Sequence, residues 1–304
     1  MTQIRDWLPF LGMPLMLLSV QIIAIILVMP MQAAGFMAFE NPESVANPLI
    51  FIGILLIFTL VLLILIRLGG RRFIAVFIGF AIFMTLLYIF GALSLLTIGA
   101  SDAAAVGAII AAGAATALLY IYPEWYVIDI LGVLISAGIA SIFGISLAIL
   151  PVLVLLVLLA IYDAISVYRT KHMITLAEGV LETKAPIMVV VPKRMDYSFR
   201  REGLDIGEGE ERGAFVMGMG DLIMPSILVA SSHVFVDAPA ILWVLSAPTL
   251  GAMVGSLAGL GVLLHFVNTG RPQAGLPSLN GGAIAGFLIA AVLAGALAWC
   301  PFCT

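Results

Sequence analysis

The chain has 304 residues, 63% of them hydrophobic and only 10% charged, with a mean hydropathy of +1.23. A soluble domain is about 45–50% apolar and about 25% charged, so this composition excludes a soluble enzyme or binding module and indicates a polytopic membrane protein. The formal net charge is −4, and no basic face with interleaved aromatics is present, which excludes nucleic-acid binding.

A transmembrane helix needs about 20 apolar residues, and nine runs qualify. The first, 9–31, follows Arg5. Its Gln32-Ala-Ala-Gly35 end resembles a signal-peptidase site, but the run exceeds the about 7–15 residues of a signal-peptide core, so a retained span is expected. Spans at 49–67 and 73–98 follow, then 103–122, whose Ala103–Ala117 stretch is mostly Ala and Gly. Short breaks near Ser101, Pro123 and Pro151 separate this span from 73–98 before it and from 125–147 and 149–168 after it. Each proline fits the first turn of a new helix, where a missing N–H does no harm. Asp129, a few residues into the fifth span, is expected near the interface in a structural role.

The polar stretch Arg169–Gly213 comes next, and from Lys193 to Arg212 it reads as a mobile loop rich in charge and Gly. Glu178 and Glu182, spaced i, i+4, are expected to face water. Within the stretch, Ala185-Pro-Ile-Met-Val-Val-Val-Pro192 carries a strand signal. It reads equally as a loop dipping into the interface or as an edge to which an unwound peptide pairs. Three spans complete the chain, 214–236, 239–267 and 277–299. The expected organisation is thus an all-α, nine-helix membrane protein in three parts: a six-helix half (1–168), a polar loop (169–213) and a three-helix half (214–304). Gly251, Gly255 and Gly259 form a double GxxxG, and Gly282 and Gly286 another, a spacing that lets membrane helices pack closely.

Nine spans put all 13 basic residues on one face, in the N-terminal tail and in the second, sixth and eighth loops. The opposite loops carry Glu40, Glu43, Asp102 and Asp237 and no positive charge. The positive-inside rule makes the basic face cytoplasmic, with the N-terminus inside and the C-terminus outside.

Two acids fall inside apolar runs: Asp163 in the sixth span and Asp221 in the seventh. A carboxylate at that depth costs at least ~2.5 kcal/mol and marks a functional site by default. Asp163 lies about 8 Å before the exit of its span and Asp221 about 10 Å after the start of the next, at about 1.5 Å per residue. The two therefore share a depth in the cytoplasmic leaflet, on antiparallel neighbours. Carboxyls sharing a site titrate as a pair, one keeping a proton while the other is ionised, which is how aspartic proteases activate water. Gly218 and Gly220 flank Met219 just before Asp221 and leave room for a substrate or backbone. The Tyr162 hydroxyl is a donor beside Asp163. Gly275-Leu-Pro-Ser-Leu-Asn280 opens the ninth span near the same depth, and Pro277 withholds a backbone N–H there. Irregular backbone is tolerated at that depth where it lines a wet cavity.

Tyr162-Asp163, Gly218-Met219-Gly220-Asp221 and Pro277-Ser278-Leu279, in that order, resemble the presenilin and signal peptide peptidase family of intramembrane aspartyl proteases. The likeness extends to nine spans and a long polar loop between the sixth and seventh. The orientation resembles presenilin rather than signal peptide peptidase, and the small size without long extensions resembles a microbial member, which implies the plasma membrane of a prokaryote. The family's third motif is Pro-Ala-Leu; Ser278 stands here for the alanine and is still small. The resemblance implies Asp163 and Asp221 as catalytic pair, with Tyr162, Gly218, Met219 and Gly220 as support. It implies Pro277, Ser278 and Leu279 as substrate-positioning residues, transmembrane-helix proteins as substrates, and no metal or organic cofactor.

Other readings stay open. Asp129, Asp163 and Asp221 also fit a proton relay in a proton-coupled carrier, though no inverted repeat is evident. The acids also fit a polar lock between helices. A prepilin-peptidase-like enzyme uses two aspartates as well, but that family places a lysine two residues after the second, where Ile223 stands here. His233 and His265 lack a partner ligand. Cys300-Pro-Phe-Cys303 suits a disulfide or half a metal site, and is expected to be a terminal feature without catalytic importance.

Overall fold

The computed structural model describes residues 8–67, 71–170, 188–193, 197–202, 214–267 and 273–300. The expectations for Arg5, for most of the polar loop, including Lys171, Glu178, Glu182, Lys184, Arg194 and Arg212, and for Arg271 and Cys303 concern residues outside these.

Nine apolar helices run through the described residues: α1 Leu8–Ala33, α2 Ala46–Arg67, α3 Arg71–Ile98, α4 Asp102–Ile121, α5 Trp125–Ser146, α6 Ile149–Ile165, α7 Met219–Phe235, α8 Ala247–Val267 and α9 Gly275–Leu293. Eight are long and apolar enough to cross a membrane once the π-helical turn Ser166–Thr170 extends α6, and α7, with 17 residues, is shorter. Ser101 caps α4 by accepting the Ala104 N–H at 3.2 Å. Pro151 sits in the first turn of α6 as expected, whereas Pro123 precedes α5, whose N-cap is Glu124.

Three boundaries depart from the sequence expectation. The seventh span is not helical from 214: Ala214–Gly218 is a strand, β2, antiparallel to β1, Met188–Pro192. The register sets Val190 opposite Val216. Apolar side chains with no polar alternation read alike as helix or buried strand, and only the Gly218–Met219–Gly220 break marked the change. The eighth helix starts at Ala247 rather than 239, because a small antiparallel pair, β3 Ala240–Leu242 and β4 Leu245–Ser246, precedes it. Trp243 at the tip has φ +55° and is 94% exposed. The ninth helix stops at Leu293; Gly295 takes φ +65° and the chain folds back, bringing Trp299 within 5.3 Å of the Phe287 ring. The membrane-crossing part is helical as expected, and the two small sheets stand at its ends.

The helix α5 is the centre of the bundle: 72% of its span is buried, against 11% for α2. It packs on α1, α3, α4, α7 and β1. Small residues make the closest approaches: at Gly144 a side chain would collide with Ala230 of α7. The α8–α9 pair is tighter still. A Cβ on Gly251, Gly255 or Gly259 would overlap the backbone of Gly286, Gly282 or Ser278, and the reverse holds at Gly282 and Gly286. The two GxxxG runs are therefore two halves of one seam. Cys300 is disulfide-bonded, which selects the disulfide among the two readings of its motif.

Candidate active site

Three helices converge on one backbone segment, the start of α9. Helix N-termini leave backbone N–H groups without an internal partner, and the N-cap of α9, Ala274, supplies no side-chain bond. Asp163, near the end of α6, fills that gap from outside: its Oδ2 accepts the Leu276 N–H at 3.1 Å, and the Gly275 N–H bonds the same carboxyl. The next position is Pro277, which has no N–H to satisfy. Asp163 is 6% exposed.

Asp221 reaches the same segment from the other side. It is the third residue of α7, so it belongs to the first turn of a helix entered from a strand, not to a helix already two turns deep. A Cβ at Gly275 would lie 2.9 Å from Asp221 Oδ1, closer than Cβ contacts come, and 3.1 Å from Oδ2, so the carboxyl would have to shift. Glycine at 275 is thus what admits the second carboxyl. Asp163 and Asp221 are close enough to interact electrostatically. One residue, Gly275, meets Asp163 through its N–H and Asp221 through its bare α-carbon.

The other residues singled out by motif separate by role. Gly218 is the N-cap of α7, and a Cβ there would stand 3.7 Å from Asp221 Oδ2; around Gly220 lies open space. The room beside Asp221 is therefore made chiefly by Gly275, and among the described residues nothing crowds Gly220. Met219 is buried against α5, where a Cβ on Gly132 would come within 3.2 Å of its Cε. It braces the turn. Tyr162 is half-buried beside Asp163. Pro277 and Ser278 lie at the start of α9, which is regular helix from Gly275, so among the described residues the irregular backbone before α9 is Gln273 and Ala274. The Ser278 carbonyl rests against Gly259 of α8, and Leu279 is fully buried. Leu279 therefore reaches the site only through the placement of α9.

Several contributors had weaker sequence signals. Tyr168, in the π-helical turn after α6, donates to Gln273 Oε1 at 2.8 Å and accepts the Ala274 N–H at 3.5 Å. Asn280, fully buried, donates to the Leu156 carbonyl at 3.1 Å. With Asp163 these tie α9 to α6 at three levels. Pro225 lies four residues after Asp221 inside α7, so the Asp221 carbonyl lacks its usual helical donor. That spacing was visible in the sequence. Asp129, expected to be structural, accepts the Val190 N–H of β1 at 2.7 Å.

Residues 13–296 match the family model described as signal-peptide peptidase, presenilin aspartyl protease. Two solved structures of a presenilin family intramembrane aspartate protease, in the C222 and P2 space groups, are each 68% identical to this chain with a TM-score of 0.71. The alignments cover 94% and 95% of this chain and 100% of the other. No curated protein matches the chain.

Proposed function

The chain belongs to the signal-peptide peptidase and presenilin aspartyl protease family, and we propose that Asp163 and Asp221 are the pair with which this intramembrane aspartic endopeptidase cuts its substrate. The observation that carries the assignment is the convergence of both carboxyls on Gly275. One carboxylate takes a proton from water as the water attacks the scissile carbonyl. The other, protonated, polarises the carbonyl by hydrogen-bonding its oxygen and then passes that one proton to the leaving amine, so the pair ends with a single proton again, now on the first carboxyl. Proteins with transmembrane helices are the substrates the family membership implies. The carrier reading has no support from the family match or the solved structures.

A helical peptide bond is shielded by its own hydrogen bonds and by neighbouring side chains, so the substrate must unwind before water can attack. An unwound backbone inside a membrane needs partners for its N–H and C=O groups. The β2 edge supplies them. Alternate residues of a strand point their N–H and C=O groups to opposite sides. Val190 aims its N–H at Asp129 and so away from β2. With Val190 paired to Val216, the outward groups of β2 are those of Ala214, Val216 and Gly218. They lead straight to Asp221, so a peptide strand added there runs toward the two carboxyls.

The basic residues place the N-terminus inside and the C-terminus outside, and we place the protein in the plasma membrane of a prokaryote, which fractionation of the native membranes tests. The catalytic assignment is tested with a peptide whose scissile amide is replaced by a hydroxyl-bearing tetrahedral isostere. Inhibition of cleavage competitive with substrate is expected, with binding weakened in both Asp163→Asn and Asp221→Asn. Binding by both variants as tight as the parent's contradicts the assignment.

A further inference from the structure

Asp129 is a buried acid that the chemistry above does not use. It is the fifth residue of α5 and is 6% exposed. One carboxyl oxygen accepts the Val190 N–H at 2.7 Å, from a residue 61 positions away; the other has no partner among the described residues. A carboxyl so placed is costly, and what it holds is the outer edge of β1. Of the outward N–H positions on that edge, Val190 is occupied by Asp129 and Pro192 has no N–H at all.

The mechanical path from this bond to the site is short. Register fixes β1 to β2, Val189 opposite Met217 and Met188 opposite Gly218. Strand β2 passes without interruption into α7, with Gly218 as N-cap and Asp221 three residues later. Gly132, nearly one turn along α5 from Asp129, makes room for both Val189 and Met219. Two contacts secure the segment after β1 to the turn that leads from α4 into α5: Ser198 donates to Glu124 Oε1 at 2.9 Å, and the Arg200 guanidinium lies 5.6 Å from the Tyr122 ring centre.

We propose that Asp129 is a positioning residue for proteolysis: its bond to the Val190 N–H docks the β1–β2 sheet on α5, which sets Asp221 against Gly275 and leaves β2 as the edge a substrate can join. The proposal rests on the reading of Asp221 as catalytic. Asparagine keeps the acceptor that Val190 needs, and alanine removes it. Proline at Val190 removes the donor without touching the β1–β2 ladder, because that N–H faces away from β2.

The test uses the full chain in detergent and compares Asp129→Asn, Asp129→Ala, Val190→Pro and the Asp129→Ala/Val190→Pro double variant. The readouts are kcat and KM on a transmembrane peptide, thermal midpoint, and hydrogen exchange over residues 188–192 and 214–218. Asp129→Asn is expected to keep kcat within about threefold of the parent, while Asp129→Ala loses about tenfold or more, in line with the sensitivity of catalysis to small misplacements. Exchange protection of both strands should fall in Asp129→Ala. The double variant should be no slower than the slower single one, as coupled partners require. Normal kcat in folded Asp129→Ala overturns the proposal. So does an Asp129→Asn variant as slow as Asp129→Ala with strand protection intact, since that assigns Asp129 to proton transfer. A loss of rate that only follows the unfolded fraction assigns it to stability alone and also overturns it. Asp221→Asn is measured alongside. Full activity there refutes the catalytic reading itself, whereas an inactive Asp221→Asn with a normal Asp129→Ala refutes only the positioning role.

Discussion

At Gly275 the absence of one methyl group decides whether two carboxyls can share a site. The sequence pointed to glycines beside Asp221, and the relevant one is 54 positions further on, so its meaning depended on the fold. Gly275→Ala places a Cβ 2.9 Å from Asp221 Oδ1 and is expected to displace that carboxyl. We expect kcat to fall about 10- to 100-fold, with a stability cost within the about 1–3 kcal/mol of an overpacked site, read by kinetics and thermal unfolding. Unchanged kcat contradicts the geometry. Tyr168→Phe removes both hydrogen bonds that hold Gln273 and Ala274. Bonds of this kind between membrane helices average about 0.6 kcal/mol, so a small loss of stability is expected with a several-fold loss of kcat, since the segment carries Gly275. The two acids themselves were legible because carboxyls are rare in apolar runs. Asp129 was read as an acid near the interface with a structural role; the structure buries it, and its partner lies 61 positions away, so no local pattern connects them.

Elements were legible in proportion to their periodicity. The nine apolar runs and their order stand as read. The strands were harder. Ala185–Pro192 gave a strand signal, of which Met188–Pro192 is a strand and Ala185–Ile187 lie outside the described residues. Its partner Ala214–Gly218 was hidden because an apolar strand joined to an apolar helix looks like one span. The late start of α8 had a signal that composition masked: Ser246 stands just before Ala247-Pro248, the order expected at a helix N-terminus. The outward-facing N–H of Val216 gives an element-level prediction. Val216→Pro leaves the β1 ladder intact but removes a donor from the free β2 edge, so KM for a transmembrane peptide should rise while the thermal midpoint holds. An unchanged KM places the substrate elsewhere. Along the α8–α9 seam, Gly255→Ala drives a methyl into the Gly282 carbonyl. It should lower the thermal midpoint, with a cost of about 1–3 kcal/mol; an unaltered midpoint contradicts the close packing.

At the scale of the whole molecule, composition alone excluded a soluble protein, and the segregation of basic residues predicts an orientation. The packing order was not legible: nothing in the sequence marks α5 as central, because helices that face protein and helices that face lipid are equally apolar. A membrane-impermeant thiol reagent tests the orientation in a background lacking Cys300 and Cys303. Trp243→Cys, at the exposed β3–β4 tip, should react from outside intact cells, and Ser198→Cys only after permeabilisation. The reverse pattern inverts the topology and with it the leaflet of the site. The central claim is that Asp163 and Asp221 together hydrolyse a peptide bond within a transmembrane segment. Its most direct test is mass spectrometry of the products from a transmembrane peptide incubated with the purified protein and with its Asp163→Asn and Asp221→Asn variants. The expected result is cleavage inside the apolar stretch by the parent and none by either variant, both folded with unchanged thermal midpoints. Cleavage at the same bonds by either folded variant would contradict it.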